Sequence, residues 1–293
     1  MSQQPFQYEA PQSLAELWST LDLGQDGTRF LAGGTDLLVK YKRKQLSVTR
    51  LVDIKNIPDL QGVWLDAALG LRIGALTTLT DLAAHPLVNE HVPVLAAAAS
   101  KMASAQVRNR ATVGGNLCNA APSADLAPPL LVLQARIKTL SAAGERELPL
   151  RHFFAGPGLS TLRPGELVSE VILPLPEGNT RAVYLKQGLR QAMDIAMVGV
   201  AVKLKLSGSL CEEAAIALGA VSPVPLRAES AEQYLKGRKL DAQSIAEGAD
   251  LAAKEASPIS DVRASALYRS QLVAALLKQG LQQCAGILTE GEN

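Results

Sequence analysis

Leu14, Leu17, Trp18 and Leu21 recur at i, i+3, i+4 and i+7, the spacing of one helical face, and Ser13-Leu-Ala-Glu16 offers a capping box at its start. A strand near Phe6–Tyr8 is expected before this helix. After it the pattern predicts a strand over Thr28–Leu31, a helix over Leu37–Lys44, and short apolar strands at Leu51–Ile54 and Leu71–Ala75. Thr78 or Thr80 caps a helix that stops at His85-Pro86, and Val94–Ala105 reads as an alanine-rich helix. A Gly/Asn-rich loop, Thr112–Asn119, comes next. Ser123 or Asp125 then caps a helix running to about residue 134. With Asp125 as the cap, Pro128 falls in the first turn, where a missing N–H costs little.

Arg136–Leu140 and Leu167–Leu173 read as strands, and Pro174-Leu-Pro-Glu-Gly-Asn179 as a linker. Beyond it lie three strands, Ala182–Lys186, Met197–Leu206 and Ala214–Ala220. In the second, Val198, Val200, Val202, Leu204 and Leu206 alternate with Gly199, Ala201, Lys203 and Lys205, which predicts one buried face. Three helical stretches close the chain, the last over 263–285. The sum is an α+β protein: mixed strands and helices first, then a small three-stranded antiparallel sheet backed by helices.

Composition narrows the function. In 293 residues, 47% are hydrophobic and 19% charged, as in a folded globular chain of one large or two ordinary domains. The 29 Lys+Arg against 28 Asp+Glu leave a net charge of +1, which argues against bulk electrostatic binding of nucleic acid. Aromatic residues at 4% argue against base-stacking platforms. Cys118, Cys211 and Cys284 lie far apart and form neither a disulfide framework nor a four-thiolate cluster site. His85, His91 and His152 lack ligand spacing, so no metal site is expected. The start lacks a signal-peptide core and no apolar run reaches the ~18–20 residues of a membrane span, so a cytoplasmic protein is expected.

Two glycine segments carry the candidate chemistry: Leu31-Ala-Gly-Gly-Thr-Asp36 and Thr112-Val-Gly-Gly-Asn116, the latter continuing through Ser123 to Asp125. Paired glycines permit positive φ and remove Cβ atoms, so successive N–H groups can converge on an anion. Thr35, Thr112, Asn116 and Ser123 can add side-chain bonds. Asp125 suits a hydroxyl donor, since a carboxylate only accepts; as a plain helix cap it needs no ligand at all. One ligand with a pyrophosphate and hydroxyls satisfies the set. Neither segment is G-x-G-x-x-G, which disfavours a Rossmann fold.

These two segments together closely resemble the flavin-binding medium subunit of the molybdenum hydroxylases, the family of bacterial xanthine dehydrogenase and carbon monoxide dehydrogenase. The resemblance extends over Phe6-x-Tyr8, Leu31–Leu37, Leu71–Thr78, Gln106–Asn116, Arg190–Ile195, and Asp261-Val-Arg-Ala-Ser265 with Tyr268-Arg269. It implies a two-part FAD-binding domain of the vanillyl-alcohol-oxidase (PCMH) type over 1–176, with subparts of about 1–55 and 56–176, and a C-terminal domain over 177–293. It implies FAD held by Leu31, Ala32, Gly33, Gly34, Thr35, Asp36 and Leu37 at the pyrophosphate. Thr112, Val113, Gly114, Gly115 and Asn116 would close from the other side, and Asp125 would take sugar or ribityl hydroxyls. Met102, Val168, Lys186 and Ile195 match further flavin contacts.

Without the resemblance, Lys186 reads as a solvated strand lysine, and Met193, Ile195 and Met197 as core. Arg108 and Arg110 read equally as phosphate partners, surface charges or subunit contacts. Lys40-Tyr-Lys-Arg-Lys44 reads as a solvated helix face, and Cys118 as a small buried residue. The resemblance further implies a large molybdopterin subunit and a small subunit with two [2Fe–2S] clusters, assembled as a dimer of heterotrimers. FAD would pass electrons to an external acceptor, and no residue of this chain would act as acid, base or nucleophile on the organic substrate. A free-standing FAD-dependent oxidase or reductase of the same fold superfamily is the alternative.

Overall fold

A computed structural model describes residues 5–21, 27–190 and 193–287. Gln191 and Ala192 of the Arg190–Ile195 motif lie outside the described residues. The first layer alternates strand and helix: β1 (Gln7–Glu9), α1 (Leu14–Thr20), β2 (Thr28–Leu31), α2 (Leu37–Lys42) and β3 (Arg50–Asp53). Helical crossovers make the three strands parallel, in the order β1-β3-β2. Ser13 caps α1 through the Glu16 N–H, but the Glu16 carboxylate reaches back to the Gln12 N–H, one residue before the cap. Leu17 packs with Val52, Ile54 and Ile57.

The second layer holds β4 (Val63–Asp66), β5 (Gly70–Gly74) and six helices. These are α3 (Leu79–Ala84), α4 (Pro86–His91), α5 (Pro93–Ser100), α6 (Ala105–Arg108), α7 (Val113–Cys118) and α8 (Ala127–Val132). Next come β6 (Arg136–Ser141), β7 (Gly144–Pro149), the hairpin β8 (Phe154–Gly156) and β9 (Leu159–Ser160), and β10 (Leu167–Leu173). The main sheet is antiparallel, β4-β5-β10-β6-β7. All seven residues of central β10 are buried. The ladder between β10 and β6 shifts register between Val168 and Glu170, and such a bulge re-aims neighbouring side chains.

Three expectations change here. The alanine-rich helix breaks after Ser100, where Ala103 takes φ 42°, and resumes as α6. The stretch 112–119 is not a loop: Thr112 caps a helix, α7, through the Gly115 N–H. Asp125 caps nothing, because α8 starts after Leu126 without a side-chain cap, although Pro128 does sit in its first turn. Thr78 rather than Thr80 caps α3.

The third layer is the antiparallel sheet β11 (Thr180–Gln187), β12 (Val198–Ser207), β13 (Leu210–Gly219), with a two-residue fourth strand β14 (Leu226–Arg227). Helices α9 (Glu229–Leu235), α10 (Ala242–Glu255) and α11 (Ala266–Ala285) back it. The alternation in β12 predicts one buried face, yet the first half of the strand is buried on both. Val198, Val200, Val202 and Leu204 pack with Val273, Leu277 and Leu281 of α11. Ala201, Ala215, Ala217 and Tyr184 face the other way, into the core built around α5 and α8. Only small residues allow this second contact: a Cβ on Gly219 would lie 3.0 Å from the Pro128 ring.

Candidate functional site

The three layers meet around one cavity of about 710 Å³. Its first wall is the β2–α2 turn. Gly34 holds φ +73° there, a conformation that favours glycine. Gly33 needs glycine for a different reason: a Cβ would lie 2.0 Å from the Arg110 carbonyl oxygen. The turn is therefore seated against the segment that leads into α7. The Leu38 and Lys40 N–H groups close helical bonds to Gly34 and Asp36. Among the described residues, none of the N–H groups of Ala32 to Leu37 donates to a protein acceptor. Thr35 lines the same cavity.

The second wall behaves differently from the expectation of a second anion nest. Val113 donates its N–H to Thr77 O (3.0 Å), Gly114 to Ala75 O (2.7 Å) and Asn116 to Thr112 O (2.9 Å). Gly115 donates to Thr112 Oγ1 at 3.1 Å. Every one of these donors is spent on the cap and on neighbouring backbone. The glycines serve close approach instead: a Cβ on Gly114 would lie 2.7 Å from that of Ala75. What this wall offers the cavity is a smooth glycine surface and the Asn116 side chain. The buried Asn116 Oδ1 has no hydrogen-bond partner, an arrangement that costs free energy unless something binds there.

Asp125 lines the far end of the cavity. Its Oδ1 accepts the Tyr184 hydroxyl at 2.7 Å and its Oδ2 the Lys186 ammonium at 2.8 Å. Burial holds the Asp125 carboxyl above its ordinary value, and Lys186 and Tyr184 oppose that rise. Lys186 is thus a largely covered ion-pair partner, not a solvated strand lysine. Tyr184 was not singled out from the sequence. Its signal was its spacing, since residues two apart in a strand share a face.

The remaining lining is apolar. Leu79, Met102, Val107, Leu162, Leu167 and Val168 form a slot beside the glycine wall. Arg108 secures Met102 by donating to its carbonyl at 2.6 Å; neither Arg108 nor Arg110 lines this cavity, so neither is placed as a phosphate partner there. Met193 and Ile195 stand at the mouth, 63% and 49% exposed, while Met197 is buried. Read as residues alone, Met193 and Ile195 fall in the core, whereas the resemblance gives Ile195 as a flavin contact. They are held outward because Asp194 accepts the Arg190 and Ile195 N–H groups at 2.8 and 2.9 Å, closing a tight loop. The side chains of Leu31 and Val113 are buried outside the lining. Lys40 leaves its solvated face to donate to Asn119 at 2.6 Å. Burial pushes the Cys118 thiol up to about 12, so it carries no thiolate at neutral pH.

Residues 4–176 match the family model of the FAD binding domain in molybdopterin dehydrogenase, and residues 183–284 that of the CO dehydrogenase flavoprotein C-terminal domain. The chain is 34% identical over 281 residues to the xanthine dehydrogenase FAD-binding subunit of Escherichia coli O157:H7, covering 95% of this chain and 96% of that one. It is 34% identical over 280 residues to the glyceraldehyde dehydrogenase medium chain of Sulfolobus acidocaldarius, covering 96% and 98%. Among solved structures it matches carbon monoxide dehydrogenase from Hydrogenophaga pseudoflava, in a form lacking the Mo-pyranopterin moiety of the molybdenum cofactor. That match has TM-score 0.92 and 32% identity over 98% of this chain and 99% of that one. Quinoline 2-oxidoreductase from Pseudomonas putida 86 matches with TM-score 0.91 and 31% identity, again over 98% and 99%.

Proposed function

Since the chain belongs to the family of FAD-binding subunits of molybdopterin dehydrogenases, we propose that it is the electron-transfer subunit of a molybdenum hydroxylase, holding FAD in this cavity. One observation carries the reading. Residues Ala32 to Leu37, with unspent N–H groups, and Asn116, with a buried oxygen that lacks a partner, line one cavity, which suits a ligand with both acceptors and donors. The residues fit FAD. The β2–α2 turn would hold the pyrophosphate, with its free N–H groups favouring the charge. Gly115 would let it approach closely beside Gly114, which is seated on Ala75, and Asn116 and Asp125 would accept from ribityl or sugar hydroxyls. Met102 and Val168 would pack on the flavin, Lys186 would approach it beside Asp125, and Ile195 would cover it at the mouth.

When bound, FAD would supply the conversion between single electrons from a partner and the electron pairs that an acceptor needs. The chain's residues would orient it and exclude water from it. We assign residues 1–176 to the FAD-binding domain, in subparts of about 1–55 and 56–176, and 177–293 to the C-terminal domain. Partners in this reading are a large molybdopterin subunit and a small subunit with two [2Fe–2S] clusters, in a cytoplasmic dimer of heterotrimers. No helix among the described residues is long and apolar enough to cross a membrane.

Gentle purification from the native host tests the proposal. The expected result is a flavin spectrum with iron–sulfur absorption, one FAD per chain and two further subunits. A chain that carries no flavin and takes none up on titration overturns it. Bleaching of the flavin by an organic substrate on the isolated chain would move the function to a free-standing oxidase or reductase.

A further inference from the structure

We propose that Tyr184, kept in place by Gly199, is a positioning residue for the FAD site: its hydroxyl fixes the Asp125 carboxylate so that the carboxylate's free lone pairs face the cavity. The inference rests on the reading of the cavity as an FAD site.

Tyr184 and Lys186 lie two residues apart on β11, so both side chains leave the same face of the strand. They take one carboxylate oxygen each, Tyr184 Oη on Oδ1 at 2.7 Å and Lys186 Nζ on Oδ2 at 2.8 Å. A carboxylate held at one oxygen can swivel about its last torsion, whereas one held at both oxygens has its plane set. Each oxygen keeps a lone pair, and Asp125 borders the cavity, so those lone pairs are the ones a ligand hydroxyl would meet. The tyrosine is fully committed to this task. Its ring is buried, and burial beside Asp125 pushes its hydroxyl well above the ordinary value, which keeps it a donor.

Gly199 completes the device. It sits opposite Lys186 in the β11–β12 ladder, inside a ten-residue strand, where a glycine weakens pairing unless space demands it. Here space demands it: a Cβ at 199 would lie 2.8 Å from the Tyr184 hydroxyl oxygen but 3.4 and 3.5 Å from the nearest ring carbons. A methyl group there therefore collides with the tyrosine atom that holds Asp125 Oδ1 and merely touches the ring.

The test uses the full chain in its complex, stripped of FAD and titrated with FAD at about pH 6 and about pH 8.5. Among the described residues, the titratable groups bonded to the Asp125 carboxyl are Tyr184 and Lys186, both from β11. Losing the tyrosine donor lets the buried carboxyl take up a proton more readily, which turns one of its acceptor positions into a donor and removes its charge. Tyr184→Phe is expected to weaken FAD about tenfold, the size of one charge-assisted hydrogen bond, with the larger loss at the acid end. Gly199→Ala is expected to weaken FAD alone, yet to add nothing in the Tyr184→Phe background, because the atom it strikes is gone. Additive losses in that cycle, or a Tyr184→Phe chain whose affinity and pH profile match the unaltered chain, overturn the inference. If Gly199→Ala does not fold, the pH profile of Tyr184→Phe decides alone. An unaltered chain that takes up no FAD overturns the FAD reading itself, which separates the two failures.

Discussion

Gly33 and Asn116 divide the work of the site between shape and chemistry. Gly33→Ala places a methyl group against the Arg110 carbonyl, where backbone cannot yield cheaply. The expected result is a destabilisation of about 1–3 kcal/mol and loss of bound flavin, read by chemical denaturation and by the visible spectrum. Gly178→Ala, with nothing within 4 Å of its Cβ, is the silent comparison. Asn116→Ala acts with opposite signs on two measurements. It removes a buried acceptor that has no partner, so the FAD-free chain is expected to melt at the same temperature or higher. FAD affinity is expected to fall about tenfold in titration, because that acceptor is then missing. Both glycine pairs were visible in the sequence, but their roles were not. The acceptors that consume the α7 donors, Ala75 and Thr77, lie far upstream, and Asp125 finds its partners 59 and 61 positions away. Side-chain type told which groups were available for a ligand; only the fold tells which of them are already occupied.

At the scale of elements, legibility followed periodicity. α1 and α11 were readable because their apolar positions repeat with the helical period, and β10 because it is a short, mostly apolar run that ends at a proline. The edge strands β4 and β7 were not, since β7 carries Glu145, Arg146 and Glu147 and shows no apolar alternation. α7 was hidden because two adjacent glycines argue against a helix; the Thr112 cap and the tight seat on Ala75 outweigh that propensity. α11 also carries an electrostatic fastening. Arg269 donates to Met197 O at 2.7 Å and to Asp261 Oδ1 at 2.8 Å, tying the helix start to the end of the mouth loop. Asp261 accepts two backbone N–H groups as well, and these bonds hold its carboxyl well below the usual carboxylate range. A lowered carboxyl contributes its full stability above the unfolded-state value of about 3.9 and loses it as pH falls toward the folded-state value. Asp261→Asn is therefore expected to lower the denaturation midpoint at neutral pH, with the gap narrowing below about pH 4. A gap that stays constant down the acid limb would show that the charge of Asp261 is not what matters.

Across the whole molecule, the cavity draws its walls from all three layers, so occupying it reports on all of them. With free FAD at about a hundred times its Kd, mass action adds about 2.7 kcal/mol. The expected rise in Tm is about 5 °C, measured by a far-ultraviolet melt with and without FAD. The α+β architecture was legible from the order of patterns and from the family resemblance. The double burial of the third sheet was not, because alanine and glycine look neutral until a second surface is seen to rest on them. That sheet has a practical meaning for how the chain comes apart. Its alanine face is locked onto α8 and α5, while its valine face is locked onto α11. The exposed stretch around Pro174 and Leu175 is the sort of place where a protease cuts. A molecule nicked there would keep its outline, its bound cofactor and its mobility on a native gel, and would show itself as two polypeptides only after denaturation.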